Sequence, residues 1–375
     1  MSTSDTLTAA EVAEILGVKR QTIYAYVSRG ILHRQVAMDG RTSLFDRAEV
    51  EEIRLGRRST HEGELRTILS TGLTNVTDEG LTIRGQNVVD LVAGGAGFVD
   101  LVELTLGTPD GERWPAGGQD EAGDGIGPGR GELLPAALDT TDAGSLLEQL
   151  RILVAVAASS DPLRDDLDPR AVRTAGRRII DTMVAGLRHR PVVSEASPIE
   201  PGPGRHAAQL WDRLTDQPVA PARLRAVDAA LALLVDHGLA TSTVAARLAA
   251  SVRADPFSVV LSGLGVVGGP LHGRASVAVH ELYLAAAERG PGAALGALTR
   301  QGRPAPGLGH AVYRTQDPRY GALMELIVAA WGGDARLGVV FEVRDLLAAR
   351  SDRIPNIDLA LGALTYLAGM PSAAG

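Results

Sequence analysis

Two histidines in this chain stand among glycines. His272 lies in Gly269-Pro270-Leu271-His272-Gly273, and His310 lies in Gly307-Leu308-Gly309-His310-Ala311-Val312-Tyr313, with Asp317-Pro318-Arg319 just behind. Glycine and proline let the backbone bend sharply, so each imidazole can be turned toward a ligand. An imidazole gives or takes a proton near neutral pH. His237 upstream, in Asp236-His237-Gly238, and Asp358 downstream, in Pro355-Asn356-Ile357-Asp358, add a further imidazole and a carboxylate. His189, His206 and His280 have no Asp, Glu or His partner at metal-ligand spacing and are expected to be surface or structural residues.

The elements that must position these groups are read from composition and periodicity. A chain of 375 residues is long enough for two or three domains. It is 45% apolar but only 3% aromatic, so its core is built from Ala, Leu and Val, which suits closely packed helices. With no cysteine, disulfides, thiolate metal sites and a cysteine nucleophile are excluded. Neither a signal-like n-region nor an apolar run near spanning length is present, so a cytoplasmic protein without a membrane partner is expected. The net charge is −8, yet residues 1–60 carry nine Lys/Arg and eight Asp/Glu, about +1, leaving about −9 for the rest. The first segment is thereby spared the repulsion the remainder would feel near phosphate.

Residues 1–60 read as a separate head. Thr8 and Glu11 form a capping box for a helix with Val12, Ala13, Ile15 and Leu16 on one face, stopped at Gly17. A second helix follows from about Lys19 to Arg29, with Ile23 and Val27 inward. Then come a turn and short strand at Gly40–Phe45 and a third helix from Asp46 to Ile53. This order resembles the winged helix-turn-helix heads of the MerR and excisionase group. The resemblance implies that Arg20, Gln21, Thr22, Tyr24 and Tyr26 face DNA, with Arg41 on the wing.

Beyond the head, Asp78-Glu79-Gly80 between Thr/Val/Ile-rich flanks predicts a hairpin, and Phe98–Leu104 a helix. The stretch 107–131 is glycine-dense and reads as a flexible loop. Helical periodicity returns at Ser145–Ala158, Arg170–His189, His206–Leu214, Pro221–Val235 and Val244–Val252, with a Pro/Gly-rich break at Pro191–Gly204. Gly263-Leu264-Gly265-Val266-Val267-Gly268 is a literal G-x-G-x-x-G. It lacks the surrounding βαβ alternation, and Gly269-Pro270 follows where a dinucleotide helix should be under way. Small residues there suit close helix approach at a subunit interface.

Taken together, Asp236-His237 with Thr241-Ser242-Thr243, the His272 and His310 motifs, Asp317-Pro318-Arg319 and Asn356-Ile357-Asp358 resemble the citrate synthase family in order and spacing. Gly80–Gly85 with Asp90-Leu91 is similar to the start of that family's domain, so the resemblance runs from about residue 61 to the end. It implies a mainly α fold, with large and small helical domains, preceded by the small winged helix-turn-helix domain. It also implies a homodimer that condenses acetyl-CoA with oxaloacetate to citrate and CoA. Propionyl-CoA giving 2-methylcitrate is an alternative, and so is a DNA-binding regulator that senses a metabolite through a degenerate synthase domain.

On the family pattern Asp358 is the base that removes a proton beside the thioester. His272 donates to the enolate oxygen, and His310 polarises and protonates the keto oxygen. Arg319 and His237 hold the carboxylates of oxaloacetate, and Arg314 contacts a CoA phosphate. No metal or redox cofactor is implied, acetyl-CoA being a co-substrate. Two departures stand out. Arg274-Ala275-Ser276 follows His272-Gly273 where the family has smaller residues. The chain also stops at Ala373-Ala374-Gly375, where family members continue with arginine-bearing helices, so part of the family fold is expected to be missing. Three expectations stand for that: a truncated sequence, a reduced site in which Arg319, Arg344, Arg350 or Arg353 compensates, or a domain kept to sense a ligand.

Overall fold

The computed structural model describes residues 6–28, 32–37, 42–54, 71–109, 112, 114, 145–187, 204–269 and 274–375. Two of the expected site residues, His272 and Arg41, lie outside the described residues, as do His189 and most of the stretches 107–131 and 191–204. The chain divides into two units, Met1–Leu69 and Ser70–Gly375.

In the first unit β1 (Thr6–Thr8) leads into α1 (Ala9–Ile15), α2 (Arg20–Ser28), β2 (Gln35–Val36), β3 (Ser43–Asp46) and α3 (Arg47–Arg54). The Thr8 backbone N–H donates to Glu11 Oε2 at 2.7 Å, while the Glu11 N–H donates to Thr8 Oγ1 at 3.5 Å, closing the predicted capping box. Antiparallel pairing in the order β1-β3-β2 makes a small sheet, of which the sequence suggested only the β3 strand. Leu7, Val12, Ile23, Leu32, Phe45 and Val50 fill the core under it. Arg20, Gln21 and Tyr24 are exposed on α2, and Thr22 is half-buried. Tyr26 departs from its expected solvent position and packs partly buried against the core. On a helix it lies three residues from Ile23, on the inward face.

The second unit opens with the expected hairpin, β4 (Thr74–Thr77) and β5 (Gly80–Ile83), to which β6 (Gln86–Asn87) adds a third antiparallel strand. Helices follow: α4 (Val88–Ala93), α5 (Phe98–Leu106), α6 (Leu146–Ser159), α7 (Pro169–Gly186), α8 (Arg205–Leu214), α9 (Pro221–Leu233), α10 (Thr241–Ser251) and α11 (Pro256–Val267). The remainder are α12 (Ala275–Arg289), α13 (Pro291–Arg300), α14 (Pro318–Trp331), α15 (Arg336–Ala348) and α16 (Ile357–Leu367). The literal glycine fingerprint is thus part of a helix, α11.

Alanine-rich α9 is the central rod, with Ala226, Val227, Ala229, Ala230, Ala232 and Leu233 buried. Small side chains let α4, α5, α8 and α14 all pack against it. Its two buried-side charges close neighbouring helix ends. Arg225 donates to the carbonyl of Val92 in the last turn of α4 and to that of Ala96 just beyond it, and Asp228 accepts the Phe98 N–H at the start of α5. Helices α12 and α16 approach so closely that a Cβ on Gly362 would lie 2.4 Å from Val279 Cγ1.

The opening of the expected flexible loop is tied down. Glu112 accepts from Arg173 and Arg177, and the Trp114 indole donates to Asp181 at 2.9 Å. Of the two settings expected for His206 and His280, surface or structural, both take the structural one and are buried. His206 Nε2 meets Asp181 Oδ1 at 2.7 Å, a carboxylate 25 residues away that sequence spacing could not reveal, and His280 Nδ1 meets Thr365 Oγ1 at 2.8 Å.

Candidate active site

The site gathers where three connections meet: the turn after α9, the loop between α13 and α14, and the segment before α16. The first carries His237. Asp236 beside it accepts from Thr74 Oγ1, which ties the turn to β4. The second carries His310, and it bends at Gly307 and Gly309, with φ of 76° and 84°, where a Cβ would be strained. The third leads into the first turn of α16, which carries Asp358, and is stitched to the second. Gly309 N–H donates to the Ile354 carbonyl at 2.7 Å, and Asn356 N–H donates to the Gly307 carbonyl at 3.0 Å. Asn356 works twice. Its Nδ2 donates to the Gly309 carbonyl at 2.8 Å, and its Oδ1 accepts the Asp358 N–H at 3.1 Å as the cap of α16. Asp358 therefore stands half-buried in the first turn of a helix, where the backbone dipoles favour a carboxylate.

His310 Nδ1 accepts two backbone N–H groups, from Val312 and Tyr313, each at 3.1 Å. That engages Nδ1 as an acceptor, so the proton of the neutral imidazole sits on Nε2. Burial is the largest influence lowering the His310 pKa, the Arg319 charge lowers it further, and Asp317 opposes both. His237 is pushed down to about 4 by burial first, then by the charges of Arg319 and His310. The two rings meet edge to face with centroids 5.0 Å apart.

Tyr313 joins these groups. It is 1% exposed, and its ring stacks on His310 with centroids 4.4 Å apart and planes 27° apart. Its hydroxyl lies 3.3 Å from His237 Nε2, and the Arg319 guanidinium carbon sits 5.4 Å above the ring.

Arg319 is 3% exposed and already paired. Its Nε and Nη2 donate to the two oxygens of Asp317 at 3.0 and 2.9 Å. The same carboxylate accepts the Arg319 N–H at 3.1 Å and the Ile357 N–H at 3.0 Å, so it fixes both the arginine and the start of the helix bearing Asp358. The guanidinium keeps Nη1 clear of this pairing.

The structure thus brings together His237, His310 and Arg319, and ties the segment leading into Asp358 to the His310 loop and to Asp317. Arg314 is exposed just outside this cluster, with its backbone N–H held by Asp78 of the β4–β5 turn. A cavity of about 260 Å³ borders the same loop at Leu308 and is lined by Arg303, Arg350 and Arg353 among others. Arg344 instead pairs with its neighbour Asp345 at 2.7 Å. Tyr313, Asp317 and Asn356 stand inside the sequence motifs, but the motifs assign them no role. The Asn-x-Asp spacing at the start of an apolar run was a capping signal for Asn356, whereas nothing local marked the contacts of Tyr313.

Comparison with known proteins points to one family. A family model described as "Citrate synthase, C-terminal domain" matches residues 65–374, and one described as "Helix-turn-helix domain" matches residues 6–58. A citrate synthase of Deinococcus radiodurans is 29% identical over 182 residues, covering 46% of this chain and 47% of its own. A 2-methylcitrate synthase of Corynebacterium glutamicum is 30% identical over 156 residues, covering 40% of each chain. The chain spans about half the length of the curated relatives it matches. Among solved structures, the citrate synthase of Thermoplasma acidophilum in ternary complex with carboxymethyl coenzyme A and oxaloacetate matches with a TM-score of 0.60 at 20% identity. That match covers 82% of this chain and 89% of the other, a likeness of fold.

Proposed function

The chain belongs to the citrate synthase family, and we propose that it condenses an acyl-CoA with oxaloacetate, acetyl-CoA giving citrate and propionyl-CoA giving 2-methylcitrate. The observation that carries this reading is the doubly anchored His310, which presents Nε2–H beside a second neutral imidazole and a buried arginine. A neutral imidazole held in one tautomer is suited to donate to a keto oxygen that becomes an alkoxide, and then to protonate it. Asp358 is the proposed base for the proton beside the thioester, its helix held in place by Asn356 and Asp317. His272, from the sequence pattern, is the proposed donor to the enolate. Arg319 Nη1 and His237 are the proposed carboxylate contacts. Arg314 is proposed to meet a CoA phosphate, and the arginine-lined cavity supplies three more guanidinium groups along the same loop. The reaction as written requires no metal or redox cofactor.

The test is CoA release from acetyl-CoA and propionyl-CoA with oxaloacetate, for the wild type and Asp358→Asn. Wild-type turnover lost in the variant is expected. A wild type inert toward both thioesters while still binding oxaloacetate would defeat the enzyme reading.

A homodimer is proposed for one reason. None of the α10 side chains is buried and only Phe257 of the apolar α11 is, while Leu248 and Val252 are 49% and 77% exposed. A second copy of this face would cover them, and a monomeric mass in light scattering overturns the idea. No described helix is long and apolar enough to cross a membrane, and a cytoplasmic location is proposed.

A second reading, transcriptional regulation, is favoured by the head, whose α2 exposes Arg20, Gln21 and Tyr24 together. Salt-sensitive binding to its own promoter DNA, lost in Arg20→Ala, is expected on that reading. Binding that survives the substitution removes α2 as the recognition helix.

A further inference from the structure

Tyr313 touches three of the candidate site groups at once, yet no role follows from its place in the motif. Its ring lies against His310, its hydroxyl faces His237 Nε2, and the Arg319 guanidinium covers it. A buried phenol keeps its proton, since burial raises its pKa and disfavours the phenolate. That proton needs an acceptor, and among the described residues His237 Nε2 is the hydroxyl's one hydrogen-bond partner. If His237 carried its proton on Nε2, the imidazole would donate to the phenol oxygen. The phenol proton would then be left buried without an acceptor.

We propose that Tyr313 is a positioning residue whose hydroxyl donates to His237 Nε2 and holds that imidazole as the Nδ1–H tautomer, making Nδ1 the nitrogen that donates to substrate. The two imidazoles are then set in opposite tautomers by two different devices. His310 is fixed through Nδ1 by backbone N–H groups and presents Nε2–H. His237 is fixed through Nε2 by a side chain and presents Nδ1–H, which makes no hydrogen bond among the described residues. Two neutral N–H donors beside a buried guanidinium suit a substrate bearing adjacent carbonyl and carboxylate oxygens, in that each oxygen finds a donor and none meets a lone pair. The stacked ring adds a second constraint, because it holds the His310 plane while the hydroxyl holds its neighbour.

The substrate step rests on the condensation reading given above; the tautomer assignment does not. Long-range proton–nitrogen correlation spectra of the full chain with isotope-labelled histidine rings test it directly, His237 being assigned by its loss in His237→Gln. The expected wild-type spectrum shows a pyridine-type nitrogen at Nε2 of His237. Tyr313→Phe keeps the stacked ring and removes only the hydroxyl. In that variant the His237 pattern should move toward the other tautomer or a mixture, and oxaloacetate affinity should fall by about tenfold. A wild-type His237 with its proton on Nε2 overturns the proposal, and so does a ring-nitrogen pattern unchanged in Tyr313→Phe. Because the spectrum needs no turnover, an inactive protein with the expected tautomer would defeat the condensation reading and leave this inference standing.

Discussion

Replacing Asp317 by Asn should be the most informative single change in the second unit. The carboxylate is 2% exposed and receives four hydrogen bonds, three from Arg319 and one from the Ile357 N–H. In Asp317→Asn the remaining oxygen can still accept on one side. The new amide nitrogen faces Arg319 Nη2 and the Ile357 N–H, both of them donors, and the guanidinium loses its counter-charge while 3% exposed. Removing one member of a buried ion pair costs roughly 3–5 kcal/mol. For a unit of this size 1 kcal/mol corresponds to about 2 °C, so the melting temperature should fall by roughly 6–10 °C. All three tryptophans, Trp114, Trp211 and Trp331, lie beyond residue 69, so tryptophan emission follows this unit and not the head. Asp317→Leu combined with Arg319→Met removes both charges and should cost much less than the sum of the two single changes. A melting temperature unchanged in Asp317→Asn, or strictly additive losses in the pair, would refute the idea that this ion pair clamps the site.

Two further outcomes follow from the same geometry. His237 titrates at about 4 when folded and near 6.5 when free, so the unfolded chain takes up its proton first as pH falls. Stability from this group is complete above pH 6.5 and declines between 6.5 and about 4; urea unfolding across that range should show a shallower decline in His237→Gln. Gly362→Ala would place a Cβ 2.4 Å from Val279 Cγ1 and 2.9 Å from the His280 backbone nitrogen. It should force α12 and α16 apart at a cost of roughly 1–3 kcal/mol, read from the shift in urea midpoint, and an unchanged midpoint would show that the helices have room to spare.

The helices of the head and α5 to α10 were legible because their signals are local, whereas α12 to α16 received no prediction of their own. Ser145 with Glu148, Asp255 before Pro256 and Asn356 before Ile357 each cap a helix as their spacing suggests. Apolar residues three and four apart then predict which face turns inward, as for Ile23 on α2. The strands β1, β2 and β6 escaped notice, since two or three residues carry no readable alternation and their pairing is decided by partners elsewhere in the chain. The partner of His206 escaped as well, because Asp181 reaches it from another helix.

For the site, the sequence by itself determined the chemical inventory. It set two glycine-flanked imidazoles, a third at a helix end, a carboxylate behind an asparagine cap and an arginine two residues after an aspartate. Residue type and spacing suffice for that, because glycine's freedom and the capping habit of Asn and Asp act within a few bonds. Only the tertiary structure decided how those groups are electrically and geometrically set. Asp317 meets Ile357 across 40 residues, and Tyr313 meets His237 across 76. The lowered His237 pKa exists because burial and the Arg319 charge converge on one ring. Hydrogen bonds to the backbone and to a distant hydroxyl select which nitrogen of each imidazole holds the proton, and a linear pattern of residue types contains no term for such distances.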